Sequence, residues 1–433
     1  MARRSQANQA RRQKTPPLSA PAVSPVPMEP QPVVPRRSDF GKNLVNLLFP
    51  AYVLMIALGY GVFLSGMATT RGNEIGSDRS LFHAINAASL TGFPATVGVH
   101  EFNGLGQATS LLLMMGGGLF SLIVGGLAAV RVLRLRFSDG SVIAASLIAL
   151  FLAMLIGTAG GMAGGFGVFD SLFLAVSAFT HCGLAGAASP GLSDTITHVL
   201  VLPLAIFGGL GVTVLMELFD ALRHRRAIST HSRTTLAYLA AAYLIGAVLL
   251  LMVGKLSNDV SFSGTRQALM NASAESINAR SLGLPLLYAT SFSRSVQWLL
   301  IGLMSLGAGS ASTAGGLKVT TIAELIRGTR RALRGEGASR SFGIAVAWVG
   351  LYVGMVVLTL LILLKQLNGM PADRVFFLAA SAVGNVGLCH DPLSITYDGL
   401  YTLSAAMFAG RVVPLLVLWW MADSTTDAEL LVG

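Results

Sequence analysis

Four times in this chain a long apolar run breaks into a short polar stretch that closes on glycine followed by one apolar residue. The stretches are Asn86 to Phe93, Val176 to Leu184, Ser276 to Leu284 and Ser381 to Leu388, and their glycines Gly92, Gly183, Gly283 and Gly387 stand 91, 100 and 104 residues apart. Self-similarity at a nearly constant period marks one structural unit used repeatedly. Such stretches are too polar and too rich in glycine to continue a helix through lipid, where each unpaired backbone group costs several kcal/mol. They must lie against protein or water, so the four units have to meet.

The runs between them are far longer than a soluble core helix needs. With 53% hydrophobic residues, 12% charged residues and a mean hydropathy of +0.67, the 433-residue chain reads as an all-α polytopic membrane protein. Its net charge of +10 does not point to nucleic acid, because the basic residues fall between apolar runs and not along one amphipathic face. Cys182 and Cys389 belong to no CxxC or other metal-ligand pattern.

Residues 1–40, rich in proline and arginine without apolar periodicity, read as a disordered cytoplasmic tail. Four units follow, at residues 41–136, 137–226, 227–335 and 336–433. Each reads as a first helix (M1), a short half-helix, a glycine stretch and a second helix (M2). The M1 helices are predicted at about 45–67, 141–159, 234–254 and 342–366, and the M2 helices at about 105–131, 196–221, 289–327 and 396–421. The half-helices, about 80–90, 169–180, 266–279 and 373–384, are too short to cross a hydrocarbon core of roughly 30 Å. They should enter and return on one side. Eight spans put both termini on one side. The tail and the M2-to-M1 linkers hold 20 Lys or Arg, against eight on the opposite face, which includes Arg280 in this count. The positive-inside rule then makes the linkers and termini cytoplasmic, and the glycine stretches open outward.

Four glycine loops in pseudo-symmetric units around one central pore can present rings of carbonyls that replace the hydration shell of a monovalent cation. Glycine admits the backbone angles this requires, and the half-helices aim their negative C-terminal ends at the ion. Other chemistry is poorly supported. Gly307, Gly309 and Ser312 depart from the dinucleotide fingerprint, GxxxxGK[ST] is absent, and His181 beside Cys182 has no second ligand pair at metal spacing. Glu275 and Arg280 in the third half-helix either touch permeating ions or pair with each other. Arg411, an arginine inside the last apolar run, should face the pore interior and contact the Ala308 to Ala314 region; the plainer reading is a packing anchor.

The order M1, half-helix, M2 in four copies, Ser177-Ala178-Phe179 ahead of Cys182-Gly183-Leu184, Gly384 to Leu388, Gly309 to Lys318 and Gly410-Arg411 together resemble the Trk/Ktr/HKT potassium transporter superfamily. The resemblance covers nearly everything after residue 40 and is greatest to the Ktr-type membrane subunit. It implies potassium uptake across the cytoplasmic (inner) membrane, with no enzymatic activity, no cofactor in this chain and potassium as substrate. It implies a filter made by Thr91-Gly92, Cys182-Gly183, Leu282-Gly283 and Val386-Gly387, flanked by Leu90, His181, Ser281 and Asn385, with K+ at the filter carbonyls. It further implies that the third M2 breaks around Gly307 to Gly316 into a gating loop, with Gly307, Gly309, Ser310, Ser312, Thr313, Gly315, Gly316, Lys318 and Arg411 at the gate. The implied partners are a second copy of the chain, a cytosolic ring of nucleotide-binding (RCK-type) subunits and membrane lipids. His181 stands where the family usually has an amide residue, and Ser281-Leu282-Gly283-Leu284 where it has Thr-Ala-Gly-Phe. The alternatives are a sodium-conducting or sodium-coupled member and, in another class, a secondary transporter with discontinuous helices.

Overall fold

A computed structural model describes residues 40–70, 75–94, 101–184, 193–390, 395 and 397–424. The expected tail, apart from Phe40, lies outside the described residues. Among these the chain is helical, with two isolated β-bridges, Thr69 with Phe102 and Leu306 with Leu317.

Six helices are long and apolar enough to cross a membrane: α1 (Phe40–Leu64), α3 (Gly104–Val132), α4 (Asp139–Ala163), α9 (Thr230–Leu256), α13 (Arg340–Gln366) and α15 (Tyr397–Ser424). The shortest has 25 residues, roughly 37 Å at about 1.5 Å per residue. Apolar side chains such as Leu58, Ile148, Phe151 and Leu361 stand exposed on them, as expected where lipid is the solvent. Polar side chains lie within the apolar interior: Asn86, Ser177, Asn278, Ser381 and Asn385 are completely buried.

The short helices α2 (Ser77–Ala88), α5 (Val168–Thr180), α10 (Thr265–Ile277) and α14 (Ala372–Val383) have 12 or 13 residues and end in the glycine stretches. Each follows a long helix, so the order long helix, short helix, glycine turn recurs four times among the described residues, closed by an unbroken long helix in the first and the last.

Two of the second helices depart from the unbroken spans expected. The helix expected at 196–221 consists of α6 (Asp194–Ile196), a π-turn (Thr197–Val201), α7 (Leu202–Leu210) and α8 (Val212–His224), with a 96° bend at Gly211. Gly211 has φ 86° and ψ 149°, a conformation that L-residues avoid, and the Ser310 carbonyl fills the place of a side chain there. The helix expected at 289–327 is α11 (Arg294–Met304) and α12 (Val319–Leu333), separated by the non-helical run 305–318. This break is two residues wider on each side than the glycine pattern indicated. Hence six continuous spans, a bent seventh and a broken pair stand where eight spans were expected.

The two breaks face each other and complete each other's hydrogen bonding. Gly309 N donates to Gly209 O (2.9 Å), Val212 N to Ala311 O (3.0 Å) and Thr313 N to Gly208 O (3.4 Å). Backbone freed from one helix is paired with backbone freed from another, which makes non-helical chain tolerable at this depth.

Replacing Gly211 by alanine should cost about 1–3 kcal/mol from the backbone conformation alone, before the clash with Ser310. A melting temperature in detergent equal to that of the unaltered protein would contradict this account of the bend.

Candidate functional site

The four glycine turns form a closed ring. A Cβ built on Gly92 would run into the carbonyl of Cys182, one on Gly183 would lie 2.5 Å from that of Leu282, one on Gly283 would meet that of Val386, and one on Gly387 that of Thr91. Each turn therefore abuts the next in chain order, and the fourth returns to the first. The glycines have φ between 63° and 88°, so they are required both by space and by conformation.

The residue two before each glycine is left-handed as well, although none is glycine: Leu90 and His181 have φ 59°, Ser281 119° and Asn385 49°. Helix capping explains why this is sustained. In the first, second and fourth turns the N–H groups fold back on the short helix, Thr91 N to Asn86 O, Cys182 N to Ser177 O and Val386 N to Ser381 O, each at 2.9 to 3.1 Å, the pairing that closes a helix with a left-handed residue. The carbonyls are treated differently. Among the described residues those of Thr91, Cys182, Leu282 and Val386 accept no hydrogen bond from the protein, although all four residues are fully buried. Buried carbonyls are normally satisfied, and these four are left open by the described residues.

Side chains tie three turns to their helices. Asn86 Nδ2 donates to Phe93 O and Phe93 N to Asn86 Oδ1, both at 2.9 Å. Ser177 Oγ donates to Leu184 O and Asn278 Nδ2 to Leu284 O, also at 2.9 Å. The third tie is one residue closer to its glycine than the others, and a π-turn over Asn278–Leu282, with Gly283 N donating to Asn278 O, takes up the difference. Outside the ring, glycines let the second helices approach the ends of the short ones: a Cβ on Gly117, Gly208 or Gly410 would meet the carbonyl of Ala88, Phe179 or Val383. Gly117 and Gly208 were not singled out by sequence, and their only signal there is three consecutive glycines at 116–118 and a pair at 208–209.

The 305–318 segment touches the second, third and fourth turns and reaches the first through Arg411. Thr313 Oγ1 donates to Phe179 O (3.0 Å), so its lone pair accepts the proton of His181 Nδ1 (2.8 Å). Gly315 N donates to Ser281 Oγ (2.8 Å), and Gly315 packs directly on Gly384 and Asn385. Arg411, 4% exposed, donates from Nε to Ser89 O (2.8 Å) and from Nη1 to Thr313 O (2.7 Å), which brings in the first turn. Lys318 donates to Ala314 O (2.7 Å), and Ser310 shares a hydrogen bond with Thr320 (3.0 Å). Gly307 N donates to Leu317 O (2.8 Å) and Leu317 N to Ser305 O (3.1 Å), folding the segment back on itself. Gly316 turns it with φ 66°. Ser312 is buried without a side-chain partner among the described residues.

Glu275 and Arg280 form no ion pair among the described residues. Glu275 accepts from Asn278 Nδ2 (3.1 Å), while Arg280 is buried beside a cavity of about 310 Å³ that His181, Tyr243 and Ala308 also line. Arg280 is thus not one of the charges of the outer face: the turn folds it inward.

Over 421 residues, 88% of this chain and 90% of the relative, the chain is 28% identical to the Ktr system potassium uptake protein B of Vibrio alginolyticus. It is 26% identical to the protein of the same name in Bacillus subtilis (88% and 93% covered) and 24% identical to the potassium/sodium uptake protein NtpJ of Enterococcus hirae (89% and 94%). Its fold matches the crystal structure of the potassium transporter TrkH from Vibrio parahaemolyticus with a TM-score of 0.69 over 89% of this chain and 85% of that one, at 19% identity. In sequence and in fold the chain is similar to members of the Trk/Ktr superfamily. No protein-family profile matches it. The relatives it is similar to are named as uptake proteins and not as enzymes, and six helices long and apolar enough to cross a membrane accord with that likeness. The two departures from the Trk/Ktr/HKT pattern are both engaged by the 305–318 segment: His181 bonds Thr313 and Ser281 bonds Gly315.

Asn86→Ala removes both bonds across the first turn. At about 1 kcal/mol per hydrogen bond, amide exchange over residues 89–94 should accelerate by roughly tenfold or more while the fourth turn, which has no such tie, stays unchanged. Equal exchange in the two proteins would show that the tie does not hold the turn.

Proposed function

We propose that this chain is the membrane subunit of a potassium uptake system, conducting K+ down its electrochemical gradient through the ring of glycine turns. The observation that carries the reading is the ring itself: four buried carbonyls, one from each turn, without protein donors and fixed by glycines that no other residue can replace. Thr91, Cys182, Leu282 and Val386 supply the oxygens that replace the ion's hydration shell, with Leu90, His181, Ser281 and Asn385 setting the backbone behind them. The C-terminal ends of α2, α5, α10 and α14 add favourable potential at the same point. The relatives named as potassium uptake proteins support K+ as the substrate.

The 305–318 segment is the gate. It lies against the second, third and fourth turns, is joined to the first through Arg411, and carries Gly307, Gly309, Ser310, Ser312, Thr313, Gly315, Gly316 and Lys318, with Arg411 bracing it. A guanidinium shared between the first turn and the segment sets a fixed positive charge in a cation path. Four repeats with the boundaries given above, eight crossings if the bent and broken helices each count as one, cytoplasmic termini and outward-facing turns complete the arrangement. A dimer of this chain on a cytosolic nucleotide-binding ring accords with relatives that carry the name of a Ktr system.

A second reading is sodium conduction or coupling. It is favoured by the relative named as a potassium/sodium uptake protein and by Leu282 and Leu284 in the third turn. Rubidium and sodium uptake into liposomes holding the purified protein separates the two. Rubidium uptake blocked by potassium and indifferent to sodium is expected; uptake that follows sodium overturns the potassium assignment.

Two variants test the parts. Gly92→Ser should lower potassium over sodium discrimination by roughly tenfold, about 1.4 kcal/mol, since its side chain displaces the Cys182 carbonyl; retained discrimination removes the first turn from the filter. Arg411→Ala gives up two charge-assisted bonds, each worth about 1.5–3 kcal/mol, and should raise basal flux by roughly tenfold with selectivity intact. Lower flux with normal insertion would return Arg411 to a packing role.

A further inference from the structure

The bend at Gly211 gives α8 two dissimilar ends. Its first turn is sealed in the interior: Val212, Thr213 and Val214 are fully buried, and Val212 N holds Ala311 O of the 305–318 segment at 3.0 Å. Its last turns emerge. Phe219 is 64% and Leu222 84% exposed, three residues apart and so on one face, and Arg223, His224, Arg225 and Arg226 follow, all exposed.

The charges there are sorted. Asp220 is already engaged by Arg136 (3.0 Å), Arg226 (3.5 Å) and His224 Nδ1 (2.8 Å). Arg223 and Arg225 have no ion-pair partner among the described residues. Depth is set by neighbours: Asp220 is bound to Arg136 just ahead of α4, and Glu217 accepts from Ser229 N (3.0 Å) just ahead of α9. The tip of α8 therefore lies level with the starts of two spanning helices. Exposed apolar side chains leading into unpaired arginines at the end of a span match a boundary between hydrocarbon and negatively charged headgroups.

We infer that the tip of α8 binds anionic lipid headgroups of the inner leaflet through Arg223 and Arg225, with Phe219 and Leu222 in the acyl region, and that this anchorage steadies the 305–318 segment through the α7–α8 bend. The inner-leaflet placement and the gating consequence rest on the function proposed above. Anionic lipid favours the arrangement described, in which the segment is bonded to the second and third turns, packed on the fourth and joined to the first through Arg411, so it lowers basal flux. An acidic protein segment is a poorer match, because it offers nothing to cover Phe219 and Leu222.

The test uses Arg223→Gln with Arg225→Asn; both sites are exposed, and asparagine tolerates the left-handed conformation at 225 (φ 52°). Binding of phosphatidylglycerol to the detergent-purified full chain is counted by native mass spectrometry. Rubidium uptake is measured in vesicles of phosphatidylcholine alone and with about one third phosphatidylglycerol. The unaltered chain should bind phosphatidylglycerol in preference to phosphatidylcholine and pass rubidium roughly three- to tenfold more slowly when it is present, from about one favourable interaction per arginine at the surface. The double variant should lose the preference and conduct equally in both vesicles. Unchanged binding in the variant overturns the site. Binding lost with flux still slowed by phosphatidylglycerol overturns the link to the segment. Arginine-dependent binding of a poly-glutamate peptide, without preference for phosphatidylglycerol, reassigns the surface to an acidic protein and also overturns it. No rubidium uptake in either vesicle would instead count against the proposed function, while the binding measurement still decides the lipid site.

Discussion

A peptide group that leaves its helix inside a membrane has to find another partner, and the architecture follows from how each freed group is accommodated. The N–H groups of the glycine turns return to their short helices, and those of Gly309, Thr313 and Val212 cross between two broken spans. What is left over is a ring of carbonyls. An unpaired buried carbonyl is costly in lipid, and four of them converging on one point are tolerable where a cation or water completes them. The same expense that forbids irregular backbone facing lipid thus gathers it in the four turns and the two facing breaks, where protein surrounds it.

Much of this was legible in the sequence because glycine is read by geometry and not by chemistry. The recurrence of Gly92, Gly183, Gly283 and Gly387 located all four turns, and the charge at Arg411 within an apolar run marked a buried partner before any contact was known. The extent of the 305–318 break was nearly readable, since small and hydroxyl residues make a poor helix interior. The bend at Gly211 was not. Gly208, Gly209 and Gly211 sit in a run apolar enough for a continuous helix, and the bend exists because the opposing segment offers carbonyls and donors to the opened backbone. A long-range pairing of that kind leaves no local trace. Arg280 was misplaced for a related reason: charge counting treats residues between spans as exposed, and the tight third turn folds this one inward.

Arg411 joins two structures that each lack a partner. Ser89 O lies at the end of the first short helix, and Thr313 O lies in a segment with no helix to supply its donors. One side chain with a planar fork can serve both, which lysine, a point charge, does less well. Because the other three turns meet the segment through Thr313, Gly315 and their neighbours, the underside of the ring is braced by a single stretch of chain, and a displacement of that stretch would be felt on every side at once.

The π-turn at Asn278–Leu282 has a consequence for reading the duplicated copies against one another. Asn86, Ser177 and Ser381 precede their glycines by six residues, whereas Asn278, which makes the corresponding tie, precedes Gly283 by five. The third short helix is therefore slid by one position relative to its loop, a shift of about 100° around the helix axis for any residue placed by distance from the glycine. Counted from the tie, buried Glu275 is the counterpart of His83; counted from the glycine, it is matched with Ala84. An internal alignment pinned on the glycines is correct downstream of Asn278 and out of phase upstream of it, so comparisons among the four copies need two registers joined at that asparagine.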